Sequence, residues 1–214
     1  MTEPDHYFSA HPATPDERRT ITVELAGRPA SVQTAGGVFS AGHVDLGTRV
    51  LLREVPDPPP SGDLLDLGCG WGPLALTMAL LAPQARVWAV DVNERALDLV
   101  RGNALRLGLA NVTPALPDEV PDEIRFAALW SNPPVRIGKD ALHELLHRWL
   151  PRLAPGGEAW LVVGRNLGAD PLQRWLADEL GLPVQRAASA KGFRVLEMRR
   201  PDPTGEPADQ GVAL

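Results

Sequence analysis

The sequence predicts an α/β fold built on a doubly wound, mostly parallel seven-stranded sheet. From residue 61 to about residue 180, short apolar runs of strand length alternate with runs of helix length. This alternation is typical of parallel sheets that carry helices on both faces. Two further strand-like runs, near residues 183–189 and 192–199, are separated only by the turn at residues 190–192. They predict an antiparallel hairpin at the C-terminal end of the sheet.

The N-terminal region lies outside this alternation. TITVELAGRPASVQTAGG alternates apolar and polar residues about a Gly-Arg turn, which predicts a β-hairpin near residues 20–25 and 29–34. We therefore divide the chain into three parts. These are an N-terminal lead-in with a small β-hairpin extension (1–35), a main domain (36–199) and a polar, proline-rich tail (200–214) that we expect to be disordered.

The elements of the main domain follow from apolar spacing and from helix-start signals. A short helix is expected between Leu46 and Val55. Pro73, a favoured first-turn residue, opens the helix PLALTMALLA, and Asn93 is the expected N-cap of NERALDLVRGNALRLGL. The predicted strands are SGDLLDL, ARVWAVDV, residues 112–116, RFAALWSN and EAWLVVG, and the later helices are KDALHELLHRWLPRL and DPLQRWLADEL.

Composition excludes several classes of protein. Hydrophobic residues make up 44% and charged residues 22% of the 214 residues, which is ordinary for a globular protein. The formal net charge of −6 argues against general electrostatic attraction to nucleic acid, although a local basic patch remains open. The chain shows no bilayer-spanning run or secretory pattern, and its single cysteine, Cys69, fits a reducing compartment. We therefore expect a cytoplasmic protein.

The stretch DLGCGWG places glycines at 68, 70 and 72 between a predicted strand and a predicted helix. Missing side chains let a ligand approach the backbone, and a helix N-terminus favours negative charge. Asp91 ends the next strand, where its carboxylate could accept both hydroxyls of a ribose. Dinucleotide sites carry an acid at similar distance, but their glycine spacing is G-x-G-x-x-G, and a ligand-free turn is also possible. With Asp66 before the glycines and Asp91 after them, we favour a nucleoside-containing ligand.

SNPPV, residues 131–135, ends the predicted strand RFAALWSN. Proline brings no N–H to a sheet and also restricts the residue before it, so the two prolines stop the strand in a stiff turn. By itself this turn could be only a strand terminator. Because strand ends of a parallel sheet share one rim, SNPPV should lie beside DLGCGWG and Asp91. That position favours a rigid mount for Asn132.

DLGCGWG and VDVN resemble the first two motifs of class I S-adenosylmethionine-dependent methyltransferases. The resemblance implies a Rossmann-like fold and S-adenosylmethionine as the cofactor. It also implies that Asp66 serves the amino end of the cofactor and that Asp91 binds the ribose hydroxyls. The cofactor-binding residues implied in these motifs and in SNPPV are Asp66, Gly68, Cys69, Gly70, Asp91, Val92 and Asn132.

SNPPV resembles the N/D-P-P-F/Y/W motif of amino-methyltransferases. The resemblance implies that Asn132 Oδ1 and the carbonyl of Pro133 are the catalytic acceptors. They would hold the hydrogens of a weakly nucleophilic amine and direct its lone pair at the methyl group. Pro134 and Val135 would then contact the substrate.

GVFSAGHVDLGTRVLL, together with NPPVRIGK, resembles the small-subunit ribosomal RNA guanine-N2 methyltransferases of the methyltransferase small domain family. The resemblance implies that Asp45, Gly47 and Thr48 lie near the methionine end of the cofactor. For each residue singly a structural reading is nearly as good, with Asp45 as a helix N-cap and Phe39 in the core.

Three departures from that family concern the substrate more than the cofactor. Val135 replaces an aromatic residue that would stack on the target base, and Arg136 replaces a histidine. The segment ALPDEVPDE also does not reproduce the acidic turn that often contacts adenine. A substitute stacking surface could come from Phe39, Tyr7 or Trp130, and we assign Phe39 to substrate binding.

A metal site is the other hypothesis that the sequence raises. His143, Glu144 and His147 form HELLH, which matches the zinc-protease motif H-E-x-x-H. Because the predicted helix packs on the sheet and offers no third ligand, we expect no metal.

The sequence therefore predicts an enzyme that forms N2-methylguanosine in small-subunit (16S) ribosomal RNA, with ribosomal RNA or the small subunit as its partner. Two alternatives remain open at this point. One is a methyltransferase for a protein amide or a small-molecule amine, and the other is a nonmethylating nucleoside- or RNA-binding module on the same fold. The family's full-length bacterial enzymes carry two similar domains, so one domain here implies different RNA recognition or a need for assembled particles.

Overall fold

The computed structural model describes residues 17–134 and 137–203, and one seven-stranded sheet is its central element. Residues 1–16 of the predicted lead-in and residues 204–214 of the predicted tail lie outside the described residues. The strands are β1 (Arg18–Leu25), β2 (Arg28–Ala35), β3 (Asp63–Leu67), β4 (Arg86–Val90), β5 (Val112–Ala115), β6 (Phe126–Ser131), β7 (Leu153–Gly164), β8 (Val184–Ala190) and β9 (Phe193–Arg199).

The strand order of the large sheet is β5-β4-β3-β6-β7-β9-β8. Strands β3 to β7 pair in parallel, while β9 runs antiparallel to both β7 and β8. The first two strands form a separate antiparallel hairpin. The predicted fold class, a Rossmann-like sheet with a C-terminal antiparallel hairpin and an N-terminal β-hairpin, is therefore confirmed.

Within the described residues, five α-helices cover the sheet: α1 (Leu46–Glu54), α2 (Pro73–Leu81), α3 (Glu94–Arg106), α4 (Lys139–Trp149) and α5 (Ala169–Leu180). Successive strand residues point to opposite faces, so Leu64 packs with α1, α2 and α3 while Leu65 packs with α4 and α5. Both leucines are fully buried. The two faces of the sheet thus carry separate hydrophobic clusters, as a doubly wound architecture requires.

The boundaries differ from prediction where proline or a close backbone approach intervenes. Helix α4 ends at Trp149 and not at Leu153, because Pro151 has no N–H and the chain continues as a short 3-10 turn. Strand β7 begins five residues early, at Leu153. There Gly157 lies so near β6 that an added Cβ would be 2.7 Å from the Phe126 carbonyl oxygen. The first hairpin turns at Ala26 and Gly27, one residue before the predicted turn.

The N-terminal hairpin packs on α2 and α3 through a hydrophobic cluster that includes Leu25, Val32 and Leu99. Asn103 joins this hairpin to the glycine-rich loop. Its Oδ1 accepts from the Gln33 N–H at 2.6 Å, and its Nδ2 donates to the Trp71 carbonyl at 3.1 Å. The hairpin is thereby fixed beside the sheet rim, while the predicted division of the chain at residue 36 stays a prediction.

Among the described residues, no helix is both long and apolar enough to cross a membrane.

Candidate active site

A cavity lies at the carboxyl ends of β3, β4 and β6, where the sheet topology brings the glycine-rich loop, Asp91 and the SNPPV turn together. It comprises about 680 Å³ of empty space, part of which is open to solvent. A second cavity of about 330 Å³ adjoins it. The residues common to both linings are Phe39, Gly68, Gly70 and Asn132. The predicted rim therefore carries two adjoining cavities with shared walls.

The glycine-rich loop presents backbone to this cavity. Gly68, Gly70 and Gly72 have φ of 77°, 53° and 98°. Residues other than glycine adopt this left-handed backbone conformation only at a cost in free energy. The N–H groups of Gly68 and Cys69 both donate to the Val90 carbonyl, at 2.8 and 3.1 Å. These bonds fix the loop against the end of β4, so that a ligand meets main-chain atoms and not side chains.

Asp66 lies fully buried beneath the loop. Its Oδ2 accepts from the Ala75 N–H at 2.8 Å, while its buried Oδ1 has no hydrogen-bond partner among the described residues. Burial raises the pKa of the Asp66 carboxyl to about 8, against the lowering effect of the Ala75 hydrogen bond. An unsatisfied buried acceptor is costly, and a positively charged donor in the adjoining cavity would satisfy it. The residue therefore fits an ammonium group.

Cys69 is buried, and burial raises the pKa of its thiol well above the ordinary value. A thiol held protonated is a poor nucleophile. The thiol is therefore unsuited to nucleophilic chemistry, and the expected backbone contact of Cys69 with the cofactor stays a prediction.

Asp91 is held at the end of β4 by the backbone around it. Its Oδ2 accepts from the Gly70 N–H and its Oδ1 from the Asn93 N–H, both at 2.9 Å. Burial raises the pKa of the Asp91 carboxyl despite these bonds. Each oxygen keeps a second lone-pair site, and the residue lines the larger cavity, so the carboxylate can accept from two neighbouring hydroxyls.

The side-chain amide of Asn132 is held by residues that are distant in the chain. Its Nδ2 donates to Asp45 Oδ2 at 2.9 Å and to Thr48 Oγ1 at 3.1 Å. Both amide hydrogens are thereby engaged, which leaves Oδ1 as the acceptor for a ligand. Ser131, the residue before Asn132, ties the end of β6 to β3, because its Oγ donates to the Leu67 carbonyl at 2.7 Å.

Asp45 is also the N-cap of α1. Its Oδ2 accepts from the N–H of Gly47 at 2.7 Å and of Thr48 at 3.3 Å. The capping role and the contact with Asn132 therefore coexist in one carboxylate. Gly47 lines neither cavity, and an added Cβ there would meet the Phe193 ring at 2.9 Å, so its cofactor role stays a prediction that lacks a direct contact.

The remaining predicted residues divide into three groups. Val92, Pro133 and Pro134 line the larger cavity, and Phe39 is 42% exposed at its mouth and so is not a core residue. Trp130 is buried in the core and offers no stacking face. Val135, Arg136 and Tyr7 lie outside the described residues.

Sequence reasoning missed several residues of the lining. Pro117 and Asn93 follow the ends of β5 and β4, so the rule that ligands bind beyond strand ends could have found them. Val38 and Leu145 also line the cavity, but no local signal marks them. They enter the site only because a loop and a helix from other parts of the chain meet there.

The HELLH stretch has a packing role. The ring of His143 stacks on Trp175 with centroids 3.6 Å apart, and His147 meets the same tryptophan edge-on at 5.1 Å. Within residues 17–134 and 137–203, no three His, Cys, Asp or Glu side chains are grouped to hold a metal ion.

Comparisons with known proteins agree with this geometry. The profile of the methyltransferase small domain family matches residues 29–197. The chain is 31% identical to the uncharacterised protein YbxB of Bacillus subtilis (strain 168), over 92% of this chain and 98% of that protein. It is 35% identical to ribosomal RNA small subunit methyltransferase C of Ectopseudomonas mendocina (strain ymp), over 88% of this chain and 58% of that protein.

Among solved structures, the chain resembles the T. thermophilus 16S rRNA N2-guanine methyltransferase RsmC, solved in complex with AdoMet and guanosine. The TM-score is 0.75 at 26% identity, over 87% of this chain and 51% of that chain. The chain thus spans about half the length of the named methyltransferases that it matches. The predicted enzyme class and cofactor, a methyltransferase that uses S-adenosylmethionine, are confirmed at the level of the family, and this chain belongs to the methyltransferase small domain family.

Proposed function

We propose that the chain transfers a methyl group from S-adenosylmethionine to the exocyclic N2 of a guanine in small-subunit (16S) ribosomal RNA. The observation that carries the proposal is the amide of Asn132. Its Nδ2 is held by Asp45 and Thr48, and its Oδ1 remains to accept a hydrogen bond at the cavity. The likeness to RsmC, a protein solved with AdoMet and guanosine, supports guanine as the substrate.

The cofactor would occupy the two cavities from the glycine-rich loop to Asp91. Asp66 would hold its ammonium group, since Asp66 Oδ1 has no partner within the described residues. Asp91 would hold its ribose hydroxyls, and Val92 lines the same cavity. Gly68, Cys69 and Gly70 supply the backbone under the methionine part. The bound cofactor supplies an electrophilic methyl group on a positively charged sulfur.

Catalysis would rest on positioning of the amine. The N2 lone pair of guanine is delocalised into the ring, so the amine is a weak nucleophile. Asn132 Oδ1 and the Pro133 carbonyl accept its two hydrogens and direct the lone pair towards the methyl carbon. Transfer would form the nitrogen–carbon bond as the carbon–sulfur bond of the cofactor breaks, and the amine held by Asn132 and Pro133 would lose one proton to water. The prolines at 133 and 134 keep this geometry stiff.

The guanine would lie between Phe39 and Pro134 at the cavity mouth. Stacking of a base on an aromatic ring contributes roughly 1–3 kcal/mol. Phe39 could therefore supply the stacking that Val135 lacks. Bringing the base out of a helix costs a few kcal/mol. A substrate in which the base is already unpaired thus binds better than a duplex.

A single domain would suffice for this chemistry, because the cofactor and substrate residues above all lie between residues 38 and 135. YbxB of Bacillus subtilis, of which the chain covers 98%, has the same extent. A ribosomal RNA substrate would also agree with the predicted cytoplasmic location.

The test is mass spectrometry of nucleosides from small-subunit RNA of cells that lack the gene. We expect N2-methylguanosine to decrease by one residue per subunit. The wild-type gene should restore it, and a gene carrying Asn132→Ala should not. An unchanged level of N2-methylguanosine in the deletion strain would refute the proposal.

A second substrate class is favoured by one sequence feature. Val135 occupies the position at which the related motif has an aromatic residue that would stack on a base. A protein amide or a small-molecule amine does not need such stacking. Under that alternative, purified small subunits would accept no methyl group from the wild-type protein, while calorimetry would still detect binding of S-adenosylmethionine. A nonmethylating module would show neither transfer nor loss of the modified nucleoside.

A further inference from the structure

A basic surface lies beside the candidate active site, on segments that carry no predicted site residue except α1. It consists of Arg49 and Arg53 on α1, Lys191 in the turn between β8 and β9, and Arg165 after β7. All four residues are exposed. We propose that this basic surface binds the phosphate backbone of the RNA that flanks the target base.

Three separate segments bring these cations together. Arg49, Arg53 and Lys191 line one groove of about 470 Å³ between α1 and the β8–β9 turn. The backbone N–H of Arg165 donates to the Gly192 carbonyl at 2.8 Å, which holds Arg165 against the same turn. The grouping therefore arises from tertiary structure, since the four residues extend from position 49 to position 191.

The surface is continuous with the site. Helix α1 starts at Asp45, whose carboxylate binds the Asn132 amide. At a rise of about 1.5 Å per residue, Arg49 lies about 6 Å and Arg53 about 12 Å further along the helix axis. Gly47 packs on the Phe193 ring, so α1 also adjoins the start of β9. Nucleotides on either side of a base held at Asn132 would therefore pass close to Arg49, as in enzymes that contact the nucleotides flanking a flipped base.

The charges of this surface are largely unneutralised. Elsewhere in the described chain, arginines such as Arg86, Arg101 and Arg186 form ion pairs with Asp63, Asp98 and Asp170. No ion pair of Arg49, Lys191 or Arg165 occurs among the described residues. Arg53 lies 4.0 Å from Glu54, the one acidic residue that lines the groove.

The net charge makes such a local surface necessary for an RNA substrate. At −6 the whole protein repels a polyanion at long range. Binding must then come from local phosphate contacts, each of which releases counterions and adds about 0.7 to the salt dependence of binding to a single strand. The partner class rests on the proposed function, whereas the location of the surface rests on the structure alone.

The test compares two pairs of neutralising substitutions in the full-length protein. The first variant combines Arg49→Gln with Lys191→Gln. The matched control combines Arg106→Gln with Arg174→Gln, which removes the same charge from exposed positions on α3 and α5. Binding to purified 16S ribosomal RNA is measured between 0.05 and 0.3 M salt, and calorimetry with S-adenosylmethionine checks that the cofactor site is intact.

We expect the first variant to lower the slope of log affinity against log salt by about 1.4, at about 0.7 per lost contact, and to weaken binding by about 25-fold at 0.1 M salt. Its cofactor affinity should equal that of the wild type, and the control should bind RNA like the wild type. If the two variants show equal slopes of log affinity against log salt, the proposal that this surface binds RNA is wrong. If the slope falls as expected but guanine in small subunits receives no methyl group, the proposed methylation is wrong and the proposed RNA-binding surface is still supported.

Discussion

The two halves of the candidate site are built from different materials. The cofactor half consists of backbone and buried acids. The glycine-rich loop has left-handed glycines and is hydrogen-bonded to the Val90 carbonyl. The Asp66 side chain is fully buried, and the Asp91 carboxylate accepts hydrogen bonds from the N–H groups of Gly70 and Asn93. The substrate half consists of side chains at the cavity mouth, with Phe39 and Asn132 only partly buried. The cofactor half is thus fixed by local backbone geometry. The substrate half depends on contacts between segments that lie more than 80 residues apart.

This difference predicts that the halves can be broken separately. Substitutions in the substrate half should lower the turnover number and spare cofactor binding. Substitutions in the cofactor half should weaken cofactor binding first.

Asn132→Ala should lower kcat by about 10³-fold, because it removes an acceptor that acts on the reacting amine. The dissociation constant of S-adenosylmethionine should change by less than about threefold. Single-turnover methylation of small subunits and calorimetry measure the two quantities. A parallel loss of cofactor affinity would show that the two halves are not separable at this residue.

Asp91→Ala should weaken cofactor binding by about 10²-fold, since two hydrogen bonds to a charged group at about 1.5–3 kcal/mol each are lost. Asp98→Ala is the control and should leave cofactor affinity unchanged, because Asp98 is an exposed acid on α3 that pairs with Arg101. Calorimetry with S-adenosylmethionine measures the dissociation constant of each variant. Comparable affinities for both variants would remove the ribose assignment.

Cofactor affinity should rise about tenfold between pH 6.5 and pH 8. Burial raises the pKa of Asp66 to about 8, so below that pH the free protein holds a neutral carboxyl. An ammonium group binds the ionised form, so binding must release this proton, and affinity increases as pH rises towards 8. Above about pH 8 the ligand's own α-amino group loses its proton, and affinity should decline again.

Asp66→Asn should bind the cofactor more weakly and without the rise in affinity below pH 8. Proton release, measured by calorimetry in buffers of different ionisation enthalpy, should disappear with it. Persistence of the same proton release in Asp66→Asn would assign the titration to another group.

Thr48→Val should lower kcat by about fivefold, because Asn132 loses one of the two acceptors that orient its amide, a hydrogen bond of about 1 kcal/mol. Thr48→Ser should restore the rate, since it keeps the hydroxyl. Thr34→Val is the matched control, because the Thr34 hydroxyl is equally buried and has no partner among the described residues.

The Thr48 effect should also depend on Asn132. In an Asn132→Ala background, Thr48→Val should cause no further loss, because residues that act through one group are not additive. Additive losses would mean that Thr48 acts elsewhere, for example in the cofactor site to which the sequence assigned it.

Several site residues could be predicted because their signals are local. Three alternate glycines after a strand, an acid at the end of the next strand and two prolines after an asparagine are each visible within ten residues. The rule that parallel strand ends share a rim then placed them together. The resemblance to a methyltransferase family then implied S-adenosylmethionine as the cofactor and methyl transfer as the reaction. Their individual roles remain predictions.

Other features had no local signal. Asp45 could be seen as a helix N-cap, but its contact with Asn132 spans 87 positions. The sequence assigns Phe39 to substrate binding with the core as the alternative, and only the structure shows that it is 42% exposed and lines the cavity. The boundary errors at α4 and β7 have the same origin, since apolar runs do not mark where a proline or a close backbone approach ends an element.

The order of strands and helices, the backbone-lined loop, the two acids at strand ends and the stiff turn after Asn132 are all readable from the amino-acid sequence. They depend on periodicity, on missing side chains and on proline, which act within a few residues. The orientation of the Asn132 amide, the extent to which burial raises the Asp66 pKa, and the grouping of Arg49 with Lys191 in one groove follow instead from the folded arrangement. Hydrogen-bond partners, burial and summed charge are properties of neighbours in space, and the fold chooses those neighbours from distant parts of the chain.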